Sequence, residues 1–257
     1  MIPVSDIERS LQTTFVGKTV KAFESVDSTN VVAKRVAEEG APEGTIVIAD
    51  HQTTGRGRLN RRWHGQRGTG ILLSLILRPD DQELARVVTY VAAISTAIAV
   101  EKNTGLEVEC KWPNDLLLNG KKFCGILLES ALRKSDLNFL IVGIGVNVNE
   151  ESFPRALERK ATSLRLEYGE EVDRLRLLRD ILEGFERDYL RAKAEGCHHV
   201  FEEWEKRCRM LGKSISVNQS GKILTGKAIR LGTDGALILE NQNREIRVFS
   251  GDATVLG

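Results

Sequence analysis

The sequence predicts an α+β fold: a mixed, largely antiparallel sheet with helices on one side, followed by a small β-barrel. Three observations carry this reading. Between Val108 and Asn149, apolar strand-like runs follow one another, and Asn119-Gly120 joins two of them as a two-residue hairpin signal. Helical periodicity lies outside that region, with the longest stretches at Glu83 to Lys102 and Val172 to Ala194. After Leu211-Gly212 the pattern changes to short strands separated by turn residues, so residues 1–210 and 211–257 are read as two domains.

Residues 1–17 offer only a short polar helix, Ser5 to Gln12, too little for a helix-turn-helix module. Thr19 to Val26 alternates as a strand. Asp27-Ser28-Thr29-Asn30 then sets N-cap residues ahead of Val31 to Ala37, whose apolar positions share a helical face, and Gly40-Ala41-Pro42 ends that helix. Thr45 to Ala49 and Ile71 to Leu77 are apolar runs; the second suggests a strand buried on both faces, closed by Arg78-Pro79-Asp80-Asp81. In the helix from Glu83, small residues (Ala92, Ala93, Ser95, Ala97, Ala99) allow close packing on a sheet. Its apolar centre, Val87 to Val100, is too short to span a bilayer. Pro113 interrupts the strand Val108 to Leu118 and predicts a bulge or bend.

Lys122 to Glu129 and Phe139 to Asn149 are the returning strands, and residues 151–170 look irregular. A second helix follows the long amphipathic one at Val200 to Cys208, with His198-His199 at a solvated start. Four barrel strands are expected: Ile215 to Val217, Ala228 to Leu231, Ala236 to Leu239 and Ile246 to Phe249. Gln219-Ser220-Gly221-Lys222, Thr233-Asp234-Gly235 and Asn241-Gln242-Asn243 are the turns between them.

Composition excludes several classes of function. Lys+Arg 37 against Asp+Glu 36 leaves a formal charge of +1, so no general grip on nucleic acid or anionic membrane is expected and any basic site must be local. Cys110, Cys124, Cys197 and Cys208 form no CxxC pair and read as reduced thiols of a cytoplasmic protein. No signal peptide is visible. A P-loop motif is absent, and Gly143-Ile144-Gly145 leads to Val148 where a dinucleotide fingerprint needs glycine. His51, His64 and His198-His199 do not form a zinc-like set, so no protein-held metal is predicted.

The segment His51 to Trp63 stands out. Gly55 and Gly57 alternate with Arg56 and Arg58, Arg61 and Arg62 follow, and no acid interrupts the run. Guanidinium forks suit phosphate and carboxylate. From Gly55 to Gly68 only Leu59 and Trp63 could anchor the chain, so this stretch is expected to be mobile until an anion relieves the repulsion among its five arginines. Taken alone, the segment also fits a solvated basic loop, Ser28 and Thr29 fit simple caps, and Lys122 fits an exposed lysine after a turn.

The combination says more. Ser28-Thr29-Asn30, Gln52 through Arg58, Lys111-Trp112-Pro113-Asn114-Asp115, Lys122 with Gly125, and Gly143-x-Gly145-x-Asn147 occur in this order. With this set the chain closely resembles the bacterial biotin protein ligases, or biotin–[acetyl-CoA-carboxylase] ligases, over about residues 20 to 150. The resemblance implies a class II aminoacyl-tRNA synthetase-like domain followed by an SH3-like barrel. It also implies two half-reactions: biotin and ATP, with Mg2+, give biotinyl-5′-AMP, and a lysine of a carboxylase carrier domain then attacks the anhydride.

Carried over by position, the resemblance makes Lys122, Arg58, Lys111 and Asp115 the catalytic candidates. Ser28, Thr29, Asn30, Gln52, Gly55, Arg56, Gly57, Arg58, Lys122 and Gly125 match biotin-binding positions. Arg56, Arg58, Arg61, Trp63, Asn114, Lys122 and Asn147 match ATP or adenylate positions. Asp115 is left between orienting Lys111, handling Mg2+-bound phosphates and assisting the incoming lysine. A lipoate or octanoyl ligase or transferase on a related scaffold, and a biotin-responsive repressor, stay open as rivals. The segment ahead of the first motif is too short for a repressor's DNA-binding domain, so the expectation is a ligase without DNA or membrane partners. Its expected partner is the carrier domain of acetyl-CoA carboxylase or a related carboxylase; homodimerisation through the sheet stays open.

Overall fold

The computed structural model describes residues 1–79, 81–133, 136–219 and 221–256. The helices are α1 (Val4–Ser10), α2 (Thr29–Glu38), α3 (Gln82–Thr104), α4 (Leu164–Tyr168), α5 (Arg174–Glu195) and α6 (His198–Arg207). The strands of the larger sheet are β1 (Val20–Phe23), β2 (Ile46–Ala49), β3 (Ile71–Leu77), β4 (Glu109–Lys111), β5 (Asp115–Leu118), β6 (Lys121–Arg133) and β7 (Asp136–Val146). A second sheet holds β8 (Ser214–Gln219), β9 (Lys222–Leu231), β10 (Leu237–Asn241), β11 (Arg244–Val248) and β12 (Asp252–Val255).

The larger sheet runs β1-β2-β3-β7-β6-β5-β4, and β1 with β2 is its parallel pair. Helices cover both of its faces, not one as the sequence suggested. Ile71, Leu73, Leu75 and Leu77 of β3 join the main core under α3 and α5, while Ile76 faces α2 with Val32, Ala33, Ala37 and Phe139. The uninterrupted apolar run of β3 follows from this, because alternate residues enter different cores. Ser74 is the one hydroxyl in that run, and it is fully buried on the α2 side.

Helix α3 is longer than its apolar centre. Asp81 caps it by accepting the Glu83 N–H at 2.8 Å, and Gly105 ends it with φ 71°. By length and composition the helix could cross a bilayer, which corrects the expectation that it is too short, but 72% of its apolar window is buried within the protein. It is a core helix, packed between the sheet and α5. Pro113 does not bend a single strand; it sits in a tight turn between the antiparallel strands β4 and β5. Residues 151–170 hold a short helix, α4, capped by Ser163.

The smaller sheet runs β11-β10-β9-β8-β12 and has five strands where four were expected. The missed strand, β12, is a short edge strand with little apolar signal. Tyr90 of α3 joins the sheets: its hydroxyl donates to the Gly235 carbonyl at 2.6 Å, and its ring meets Phe201 and Trp204 edge-on. Glu205 accepts the Leu231 N–H at 2.7 Å beside them. The turn positions Asp80 and Ser220 lie outside the described residues.

Candidate active site

A cleft of about 440 Å³ opens on the sheet face formed by β6 and β7 and collects nearly every motif residue. Its floor depends on glycine. Gly125 of β6 and Gly145 of β7 are register partners, and the Trp63 ring lies against both. A Cβ at Gly145 would stand 2.7 Å from Trp63 Cε2, and one at Gly125 would stand 2.8 Å from Lys122 Nζ. A side chain at Gly145 would collide with the Trp63 ring, and one at Gly125 would displace the Lys122 ammonium. Gly143 does the same for Asn30, whose amide presses on the bare backbone.

A polar chain runs under the cleft wall. Gln52 Oε1 accepts from Thr29 N at 2.7 Å and lies 3.1 Å from Thr29 Oγ1. Ser74 Oγ stands 2.8 Å from Thr29 Oγ1 and donates to Asn30 Oδ1 at 2.6 Å. Asn30 Nδ2 donates to Glu129 Oε2 at 2.7 Å, and Glu129 Oε1 lies 3.4 Å from Arg56 Nη1. Buried polar groups must be paired, and here each fixes the next. Asn30 therefore shapes the wall, since both ends of its amide are committed. Ser28 differs: it is the N-cap residue of α2 without a side-chain cap bond, so its hydroxyl is not committed to the helix.

The arginine segment carries a single 3₁₀ turn, and Leu59 within it has φ 54°. Leu59 is 64% exposed and anchors nothing, contrary to expectation. Trp63 is the anchor. Acids from distant strands meet two of the segment's cations: Glu129 pairs with Arg56 and Asp252 with Arg61. Arg58 forms no ion pair among the described residues; Nη1 donates to Asn114 Oδ1 at 3.3 Å and the Gly251 carbonyl at 3.4 Å. Burial pulls its guanidinium below the ordinary value, with Asp252 and Asp115 pulling the other way. Gly55 does not line the cleft. It is packed behind it, where a Cβ would stand 2.8 Å from the Trp63 carbonyl.

Lys122 Nζ stands 2.5 Å from Asp115 Oδ1 and 5.5 Å from the Trp63 ring centroid. The contact with Asp115 is an ion pair rather than an aligned hydrogen bond, since among the described residues that oxygen has no partner in hydrogen-bonding geometry. Asp115 thus holds Lys122; Lys111, its register partner on β4, also lines the cleft. Asn114 Nδ2 donates to the Ile126 carbonyl at 2.5 Å. Asn147 lines the cleft; its Nδ2 donates to the Thr162 carbonyl at 3.0 Å, and its buried Oδ1 has no partner among the described residues. Among the described residues, no cluster of three His, Cys, Asp or Glu could hold a metal.

Residues 22–147 match the biotin/lipoate A/B protein ligase family. A Bifunctional ligase/repressor BirA of Bacillus spizizenii is 38% identical over 251 residues, covering 96% of this chain and 77% of that protein. A Biotin--[acetyl-CoA-carboxylase] ligase of Paracoccus denitrificans is 33% identical over 219 residues, 83% of this chain and 90% of its own length. The chain belongs to the biotin protein ligase family. Among solved structures, a biotin protein ligase from Aquifex aeolicus in complex with biotin and ATP superimposes with a TM-score of 0.81. The two are 30% identical over 93% of this chain and 99% of that one.

The cleft of this biotin protein ligase family member includes walls that sequence reasoning missed. Phe153, Leu157, Lys160 and Ala161 come from the stretch read as irregular, which the Lys122 N–H holds by donating to the Lys160 carbonyl at 2.9 Å. Asp252, Ala253 and Thr254 come from β12 of the other sheet. Ser74 and Glu129 complete the polar chain. Of these, only Ser74 carried a local signal, as a lone hydroxyl inside an apolar run.

Proposed function

We propose that the chain is an ATP-dependent biotin protein ligase that forms biotinyl-5′-AMP and passes the biotinyl group to a lysine of a carboxylase carrier domain. In this reading residues 1–210 carry the biotin and ATP chemistry, and 211–257 form a barrel that adds one wall to the cleft. The observation that carries the reading is the convergence of Ser28, Gln52, Arg58, Lys122 and Asn147 on one cleft built over Gly125 and Gly145.

In the first step the biotin carboxylate attacks the α-phosphorus of ATP, and the bond to pyrophosphate breaks. Two anions must meet, so fixed cations dominate the barrier. Arg58 supplies a charge that no carboxylate among the described residues pairs with directly, and Lys122 supplies a compact ammonium held in place by Asp115. Mg2+ enters with ATP as part of that substrate. Ser28, with its hydroxyl uncommitted to α2, and Gln52 are assigned to the ureido ring, which needs paired donors and acceptors. Trp63 and the unpaired Oδ1 of Asn147 are assigned to the adenine, the second as acceptor for its exocyclic amine. In the second step the amine of the acceptor lysine attacks the carbonyl, AMP leaves, and the nitrogen loses a proton.

Adenylation is tested by exchange of labelled pyrophosphate into ATP. Exchange that requires biotin and is not supported by lipoate is expected. Exchange driven equally by lipoate would remove the assignment.

A further inference from the structure

Arg61 of the arginine segment pairs with Asp252 at the start of β12, and Arg58 reaches the Gly251 carbonyl beside it. We propose that Asp252 is a positioning residue of the adenylating site: it holds Arg61 over the cleft as a stand-in for phosphate and yields it when a polyphosphate enters. The inference rests on the adenylation reading above and adds to it a role for the second sheet.

The argument starts from the two acids that meet the segment. Glu129 is committed on both oxygens, to Arg56 and to Asn30, so it belongs to the polar chain beneath the cleft. Asp252 has no hydrogen bond besides the one from Arg61 among the described residues, and its charge otherwise acts on Arg58, opposing the effect of burial there. Yet it lines the cleft, where a fixed carboxylate repels a polyanion. A negative charge in that position suits the site only if its partner can be exchanged. The pair is weak enough to exchange: Arg61 is 67% exposed and Asp252 35%, and exposed ion pairs contribute little. Arg58 is more enclosed and bonded only to neutral acceptors, so it stays as the fixed cation while Arg61 is released.

The test is Asp252→Asn. Hydrogen exchange across residues 56–63 of the ligand-free protein is expected to rise about two- to fivefold, the span of an exposed ion pair. The KM for ATP in pyrophosphate exchange is expected to fall by a similar factor, with the KM for biotin unmoved. Inorganic tripolyphosphate, a probe that needs no catalysis, should erase the difference in loop exchange between D252N and wild type. In an Arg61→Ala background the same substitution should leave loop exchange unaltered. Unchanged loop exchange in D252N, or a raised KM for ATP, would overturn the proposal. A wild type without pyrophosphate exchange defeats the adenylation reading instead, and the tripolyphosphate arm still decides the Asp252 contact.

Discussion

Lys122 Nζ and Asp115 Oδ1 stand 2.5 Å apart, across the register step where β5 meets β6. The pair ties the KWPND hairpin to the strand that carries the cleft floor, so the two motifs act as one unit. Lys122→Met should slow adenylate formation about 10- to 100-fold, the worth of one charge-assisted contact, with little change in biotin affinity. Asp115→Ala should slow the same step about 10-fold by releasing Lys122. The double variant should be no slower than Lys122→Met alone, because residues that act as a unit are not additive. Burst measurements of pyrophosphate release check this, and fully additive losses would separate the two residues.

Arg58 is bonded to Asn114 on one strand connection and Gly251 on another, so it bridges both walls of the cleft. Arg58→Gly should still form the adenylate but retain it poorly, since closure guards a reactive anhydride from water and stray amines. A bystander protein mixed with this variant, biotin and Mg-ATP should gain biotin on its surface lysines. Labelling no greater than with wild type would show that another group retains the intermediate.

Glu150 is almost fully buried beside Gly70, and among the described residues neither carboxylate oxygen has a partner in hydrogen-bonding geometry. Burial raises its pKa, and Thr69, nearby main-chain N–H groups and Arg174 oppose this without prevailing. The folded state therefore keeps the proton to higher pH than the unfolded chain. Stability contributed by the neutral form is lost as pH climbs from the ordinary glutamate value, about 4.3, through the raised one. Glu150→Gln should raise Tm above that window and make no difference near pH 4. Thermal scans at several pH values decide it, and an equal shift at every pH would point to packing instead.

How much was legible in the sequence depended on how local each feature is. The helix start at Ser28, the Asn119-Gly120 turn and the buried strand Ile71 to Leu77 follow from residues next to one another. The candidate site residues other than Gly55 met in one cleft, although Ser28 to Asn30 open α2 and Arg56 to Trp63 lie in the loop between β2 and β3. Three features were not legible. The covering of both sheet faces depends on which alternate residues of β3 meet α2, and an unbroken apolar run hides that alternation. Pro113 reads as a bend whether it kinks one strand or turns between two, and only the pairing of Cys110 with Leu116 tells them apart. Asp252 and Glu129 are ordinary acids in sequence, and their meaning comes from arginines 191 and 73 residues away.

The central claim is transfer of biotin to protein, and intact-mass measurement of an apo carrier domain tests it most directly. Incubation with the purified chain, biotin and Mg-ATP should add one biotinyl group to a single lysine, and replacing biotin by lipoate should add nothing. A carrier domain of unchanged mass, or one modified by lipoate at a comparable rate, would contradict the account.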